Sequence, residues 1–191
     1  MRIGRIIAPV HSLGPGERIC VWVQGCSRAC DGCISPELQF KDMPEADNQL
    51  LIDLICRSAT LNGCDGLTIS GGEPFEQSES LLELLRGVRA TFQDILVFTG
   101  FMLEQLQGGK VSSAAANCLE LIDVLVDGPY IKERNLPGCV LRGSDNQRIH
   151  FLQPAAKAVY EPYLKQGRTL ESFVHNGTVI IVGIPNRRDG K

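Results

Sequence analysis

Residues 19–36 read ICVWVQGCSRACDGCISP, an apolar run followed directly by three closely spaced cysteines. The apolar run, over residues 19–24, is rich in β-branched and aromatic side chains and predicts a buried strand. The cysteines, Cys26, Cys30 and Cys33, form the pattern C-x3-C-x2-C within eight residues. Three thiols in one short loop predict a metal site at the end of this strand.

The spacing of these three cysteines favours an iron-sulfur cluster. Three thiolates can bind three irons of a cubane, which leaves the fourth iron without a protein ligand. An open coordination position allows a metal site to bind a substrate directly, whereas a closed four-ligand site is usually structural. Structural zinc stays open as an alternative, although it prefers two ligand pairs and here would need Cys20 or a distant histidine.

Outside this loop, short apolar runs alternate with helical segments. The predicted strands are residues 3–8, 19–24, 66–70, 95–99, 124–127 and 148–152. Four helices are predicted: one that begins after Asp47, one that contains the apolar stripe of residues 81–88, one at residues 102–107 and one at about residues 154–166. A hairpin is predicted from residues 170–175 and 178–184, with its turn at Asn176-Gly177. This alternation predicts an α/β fold with a parallel sheet, covered on both faces because its strands are almost continuously apolar.

Length and composition predict one globular domain over residues 1–191. Apolar residues make up 43% and charged residues 21% of the 191, which excludes collagen-like, coiled-coil and disordered chains. The 22 acidic and 19 basic residues give a net charge of -3, which disfavours a nucleic-acid partner. We also expect no membrane partner and a cytoplasmic location, because neither a spanning segment nor an export signal is evident.

The cysteine pattern and a second motif resemble those of the radical S-adenosylmethionine (SAM) superfamily. The second motif is Gly71-Gly72-Glu73-Pro74, which directly follows the next predicted strand. The resemblance implies that Cys26, Cys30 and Cys33 are catalytic residues that hold a [4Fe-4S] cluster, whose fourth iron binds SAM. It also implies a partial (β/α) barrel with both cofactors at the carboxyl ends of the strands.

Four further stretches are similar to the small activating enzymes of glycyl-radical enzymes, especially those that activate anaerobic ribonucleotide reductase. They are GPGER and VQGC (residues 14–18 and 23–26), VFTGF (97–101), LVDG (125–128) and LRGSDNQR (141–148). This resemblance covers a core of about residues 3–152, and no family role transfers to the C-terminal helix and hairpin extension of about 153–184. It implies reductive cleavage of SAM to a 5′-deoxyadenosyl radical, a glycyl-radical enzyme as partner, and an electron donor such as flavodoxin or ferredoxin.

The same resemblance implies further SAM-binding residues. Residues 71–74 would bind SAM, with the backbone and Glu73 at its amino group, and the two glycines would let the chain approach the ligand. Thr99 and Asp127 end the next two predicted strands, so they would lie at the same edge of the sheet. An Asx-turn is the alternative role for Asp127, since Asp-Gly is a favoured turn pair.

Two features depart from this family or are unexplained by it. Leu13 stands where these activases commonly have Asp or Asn, and leucine cannot hydrogen-bond a substrate peptide. A related radical SAM enzyme acting on another protein, peptide or small molecule therefore stays open, as does a non-catalytic zinc or iron-sulfur module. Cys139 lies in a predicted loop, where it would be reactive if its pKa were depressed.

Overall fold

The computed structural model describes residues 1–175 and 177–186, which form a mixed α/β fold. The strands are β1 (Ile3–Val10), β2 (Arg18–Val23), β3 (Gly66–Gly71), β4 (Asp94–Phe98), β5 (Val124–Asp127), β6 (Arg148–Phe151), β7 (Leu170–His175) and β8 (Thr178–Gly183). The helices are α1 (Asn48–Asn62), α2 (Ser78–Val88), α3 (Leu103–Gln107), α4 (Ser113–Cys118) and α5 (Ala156–Leu164). In the described residues, no helix combines the length and apolar character needed to cross a membrane.

The central sheet has six strands in the order β1-β2-β3-β4-β5-β6. Strands β2 to β5 are parallel, whereas β1 and β6 pair antiparallel at the two edges. The predicted parallel sheet is therefore confirmed for the four central strands. Because the carboxyl ends of parallel strands meet at one edge, the loops after β2, β3, β4 and β5 lie side by side there.

One face of the sheet packs against α1, α2 and α4. The apolar stripe of α2 is buried there, with Leu81, Leu84 and Leu85 fully covered. Helix α4 was absent from the sequence predictions because its residues, SAAANC, are mostly small and lack a strong apolar stripe. Its first turn is instead fixed by Ser112, whose hydroxyl accepts a hydrogen bond from the Ala115 amide at 3.1 Å.

The C-terminal extension covers the opposite face of the sheet. Tyr160 of α5 is fully buried in a cluster with Leu96 and Val126. Strands β7 and β8 form the predicted hairpin, and Val182 packs in a second cluster with Trp22. The predicted turn residue Asn176 lies outside the described residues. The extension thus supplies apolar surface that strands β2, β4 and β5 need on this side.

The loop between β1 and β2 is held by this extension. Glu171 of β7 accepts hydrogen bonds from the amides of His11 at 2.9 Å and Ser12 at 2.7 Å. The Tyr163 hydroxyl accepts from the Gly14 amide at 3.1 Å and donates to the His11 carbonyl at 3.0 Å. Leu13, between these anchors, is buried in the cluster that contains the hairpin. The departure at position 13 therefore has a packing reason, because the residue faces the extension.

Leu13→Asp is expected to lower the free energy of unfolding by roughly 2–3 kcal/mol, because a carboxylate would be buried without a partner. Urea unfolding followed by circular dichroism measures this loss, and limited proteolysis reports release of the extension. Leu50→Asp is the matched control, since Leu50 is 70% exposed in the first turn of α1, where a negative charge is tolerated. Equal stability of the two variants would contradict this role for Leu13.

At the amino ends of the parallel strands, Arg18 forms a buried hydrogen-bond network. Its Nε donates to Thr68 Oγ1 at 2.6 Å, and its Nη2 donates to the Leu67 carbonyl at 2.7 Å. Its Nη1 forms an ion pair with Asp94 Oδ2 at 2.6 Å, and the Tyr160 hydroxyl donates to the same oxygen at 2.7 Å. A buried guanidinium needs such partners, so this network links β2, β3, β4 and the extension.

Candidate functional site

The three clustered cysteines lie on the loop that follows β2, and each is partly exposed. Two backbone hydrogen bonds close the base of this loop: the Gly25 amide donates to the Leu38 carbonyl at 2.8 Å, and the Cys26 amide donates to the Gln39 carbonyl at 3.1 Å. Inside the loop, the Cys33 amide donates to the Cys30 carbonyl at 3.2 Å. The fold therefore places the loop that carries these three thiols at the carboxyl edge of the sheet.

The donor chemistry of this loop fits an iron-sulfur cluster. Cys26, Cys30 and Cys33 are free thiols. The two loop carboxylates pair with basic residues instead: Asp31 with Lys132 at 3.4 Å, and Glu37 with Arg5. Across residues 1–175 and 177–186, no group of three or more Cys, His, Asp or Glu side chains is arranged to hold a metal ion. A cubane binds each thiolate through a different iron, so its ligands need not converge on one point as the ligands of zinc do.

The other cysteines are packed away from this loop or bonded elsewhere. Burial raises the pKa of Cys20 and of Cys118 to about 12, so both remain protonated thiols at neutral pH. The Cys56 sulfur lies 3.2 Å from the Thr91 hydroxyl oxygen, on the helical side of the sheet. Cys139, for which the sequence left a reactive role open, is buried in its loop. A buried thiol of this kind is poorly accessible to oxidants.

Gly71 and Gly72 pack directly against the chain that leads into the cysteine loop. A Cβ atom on Gly71 would lie 2.4 Å from the Val23 carbonyl oxygen, and one on Gly72 would lie 2.3 Å from the Gly25 carbonyl oxygen. The Gly72 amide donates to the Val23 carbonyl at 2.8 Å, and the Glu73 amide donates to the Gly25 carbonyl at 2.9 Å. These glycines therefore allow the motif at residues 71–74 to pack against the start of the cysteine loop. The sequence analysis had attributed this need for small residues to the approach of a ligand.

Glu73 connects the ends of β3 and β4. Its carboxylate, 1% exposed, accepts hydrogen bonds from Thr99 Oγ1 at 2.7 Å, the Gly100 amide at 2.8 Å and the Phe75 amide at 3.1 Å. Burial raises the pKa of Glu73, and these hydrogen bonds and the positive charge of Arg28 oppose the rise. Contact of this side chain with the amino group of SAM stays a prediction.

The remaining predicted SAM-binding residues also lie at this edge. Pro74 is buried and begins a short 3₁₀ helix, Pro74–Gln77. Thr99 is buried at the end of β4, where its hydroxyl accepts from the Phe101 amide at 3.1 Å in addition to its bond to Glu73. Asp127 is buried at the end of β5. The structure therefore brings the motifs after β2, β3, β4 and β5 to one edge.

The carboxylate of Asp127 is fully engaged by protein groups. It accepts a hydrogen bond from the Leu103 amide at 2.7 Å, forms two hydrogen bonds with the Arg148 guanidinium and lies 3.1 Å from His150 Nε2. Burial would raise the pKa of Asp127, but the bonds from Arg148 and Leu103 and the nearby His150 outweigh it, so the pKa is lowered. This ion pair anchors α3 and β6 to the end of β5.

Arg28, between Cys26 and Cys30, was not singled out by the sequence analysis. Its guanidinium carbon lies 4.9 Å from the centroid of the Phe101 ring, at the end of β4. Its Nε atom is buried and has no hydrogen-bond partner in the part of the chain that the structure describes. An arginine between two candidate cluster ligands was the available signal, since it places a positive charge within the cysteine loop.

Comparison with known proteins finds one iron-sulfur family model and several relatives that share one name. A family model described as "4Fe-4S single cluster domain" matches residues 12–150. The anaerobic ribonucleoside-triphosphate reductase-activating protein of Escherichia coli K12 is 31% identical over 146 residues, which cover 73% of this chain and 92% of the relative. The protein of the same name from Haemophilus influenzae is 38% identical over 148 residues, 72% and 89% of the two chains. That of Enterobacteria phage T4 is 31% identical over 141 residues, 71% and 85% of the two chains.

Proposed function

This chain belongs to the family of anaerobic ribonucleoside-triphosphate reductase-activating proteins, and we propose that it is a radical SAM enzyme that installs a glycyl radical on an anaerobic ribonucleotide reductase. The observation that carries this proposal is the cysteine loop inside the span that the family model matches. When bound, a [4Fe-4S] cluster and SAM supply one-electron cleavage of SAM to methionine and a 5′-deoxyadenosyl radical, which abstracts hydrogen from the substrate.

The chain's own residues bind and orient these cofactors. In this proposal Cys26, Cys30 and Cys33 hold the cluster. The neighbouring SAM site is formed by residues 71–74, Thr99 and Asp127. These residues have two possible roles: the first is to contact SAM through their backbone, and the second is to fix the ends of the strands that surround it. The hydrogen bonds from Thr99 and Gly100 to Glu73 support this second role, because they hold β3 and β4 in register at the site.

The arrangement of the strands supports a partial (β/α) barrel in one domain over residues 1–191, with a core of about residues 3–152. Four parallel strands alternate with helices, and the candidate residues follow the carboxyl ends of these strands, as in barrel enzymes. The eight free cysteines support a reducing, cytoplasmic location.

A protein partner is supported by the surface that follows the cysteine loop. Ile34 and Phe40 are 66% and 65% exposed, although large apolar side chains are usually covered. We propose that the glycyl-radical enzyme docks at this edge and that a flavodoxin or ferredoxin supplies the electron. Leu13 gives no reason to prefer another substrate, because its burial under the extension explains the lost polar residue.

Anaerobic reconstitution with iron and sulfide, followed by reduction, SAM and the purified reductase, tests the proposed function. Electron paramagnetic resonance is expected to show a glycyl doublet on the reductase that grows in step with the 5′-deoxyadenosine formed. Deoxyadenosine without a glycyl signal would instead favour a radical SAM enzyme with another substrate. A protein that binds zinc, gives no reducible cluster and forms no deoxyadenosine would be a non-catalytic module.

A further inference from the structure

We propose that Arg28 is the residue that binds the carboxylate group of SAM. The inference rests on the proposed function and adds a specific contact to it. Arg28 lies in the cysteine loop, two residues after Cys26 and two before Cys30. The backbone segment that carries Arg28 also carries the proposed cluster ligands on either side of it. The loop that forms the cofactor site therefore fixes the position of this side chain.

The side chain of Arg28 crosses from the cysteine loop to the end of β4. A Cβ atom on Gly100 would lie 2.2 Å from Arg28 Nε, so the guanidinium rests directly on this glycine. The guanidinium carbon also lies 4.9 Å from the centroid of the Phe101 ring. An aromatic ring under a guanidinium fixes the plane of the group while leaving its N–H donors free for an acceptor in that plane.

One of these donors has no acceptor within the described residues. Arg28 Nε is buried from solvent and forms no hydrogen bond. A buried N–H group without an acceptor costs free energy, and native structures rarely keep one. The Arg18 guanidinium, in contrast, is bonded through all three of its nitrogens. The difference indicates that Arg28 has no acceptor among residues 1–175 and 177–186, and a ligand bound at this edge would supply one.

The charges at this edge match the amino-acid end of SAM. That end is a zwitterion with an ammonium and a carboxylate, and the neighbouring sulfonium is positive, so the carboxylate is the acceptor that suits an arginine. Arg28 and the buried Glu73 are close enough for the arginine charge to act on the Glu73 carboxyl. One positive and one negative group therefore stand at the ends of β3 and β4, and a guanidinium binds a carboxylate through two parallel hydrogen bonds.

Binding of two nucleosides to the reconstituted protein tests this contact without measuring turnover. Isothermal titration under nitrogen would compare SAM with 5′-methylthioadenosine, which keeps the adenosine and sulfur but lacks the amino-acid end. Arg28→Gln is expected to raise the Kd of SAM about 10- to 100-fold and to leave that of methylthioadenosine unchanged. Arg28→Lys keeps the charge but loses the planar fork, so we expect a rise of about 3- to 10-fold for SAM alone.

Arg57→Gln is the matched control, because Arg57 is an exposed residue of α1, and it should bind both ligands as the wild type does. Iron content and circular dichroism check that each variant is loaded and folded. If Arg28→Gln or Arg28→Lys raised the Kd of SAM and of methylthioadenosine equally, the inference would be overturned, since the side chain would then act on the nucleoside or on the shape of the loop. An unchanged Kd of SAM would also overturn it. A wild-type protein that carries a cluster but does not bind SAM would overturn the proposed function and this inference together.

Discussion

Cys30→Ala is expected to abolish reductive cleavage of SAM and to remove most of the bound iron. The wild type, purified and reconstituted without oxygen, should hold about four irons per chain, the content of one cubane. Removing the middle thiolate leaves two ligands on the loop. Two of the four irons would then have no protein ligand, instead of one. Iron and sulfide analysis measures the cluster, and chromatographic detection of 5′-deoxyadenosine measures the cleavage of SAM.

Cys56→Ala is the matched control for this change. The Cys56 thiol lies on α1 beside Thr91, away from the cysteine loop, so its removal should leave iron content and SAM cleavage at the wild-type level. A Cys30→Ala protein that kept its iron and still formed deoxyadenosine would show that the ligands had been assigned wrongly. Loss of iron in both variants would point to general instability rather than to a ligand.

Asp94→Ala is expected to lower the free energy of unfolding by roughly 3–4 kcal/mol, because it leaves the fully buried Arg18 guanidinium without its counter-charge. Tyr160 would lose its acceptor on Asp94 in the same variant. For a chain of this size the loss corresponds to a fall in Tm of roughly 10 °C. The loss lies at the low end of the range for buried pairs because the Asp94 side chain is 19% exposed and water partly screens its charge.

Thermal and urea unfolding followed by far-ultraviolet circular dichroism would measure this difference. Glu161→Ala is the comparison, because it removes the acid of an exposed ion pair between Lys157 and Glu161, which should contribute less than about 0.5 kcal/mol. If the two variants unfolded at the same urea concentration, the Arg18 network would not contribute as argued above.

Much of the fold was accessible from the sequence because its signals are local. The predicted strands at 66–70, 95–99 and 124–127 match β3, β4 and β5 within one residue at each end. Apolar runs of this length and the helical stripes between them can be recognised from a few neighbouring residues in the sequence. The antiparallel pairing of β1 and β6 was not predicted, since pairing direction at an edge depends on how the chain returns to the sheet.

The candidate site was accessible in part for the same reason. The cysteine spacing is contained in eight residues, and the motif at 71–74 stands at a strand end, so both were found without coordinates. The bonding of Glu73 to Thr99 and Gly100 joins residues 26 and 27 positions apart, and no local pattern encodes it. The same limitation applies to Arg28, whose position on Gly100 depends on how two loops pack.

The sequence by itself determined the positions of the central strands and of the clustered cysteines, because apolar periodicity and thiol spacing act over a few residues. Only the tertiary structure decided why Leu13 is apolar and why Gly71 and Gly72 must lack side chains. Leu13 is covered by a hairpin that begins at Leu170, and the glycines press against the backbone of Val23 and Gly25. Contacts between such distant residues arise from close packing of the folded chain, which determines the side chain that each position can hold.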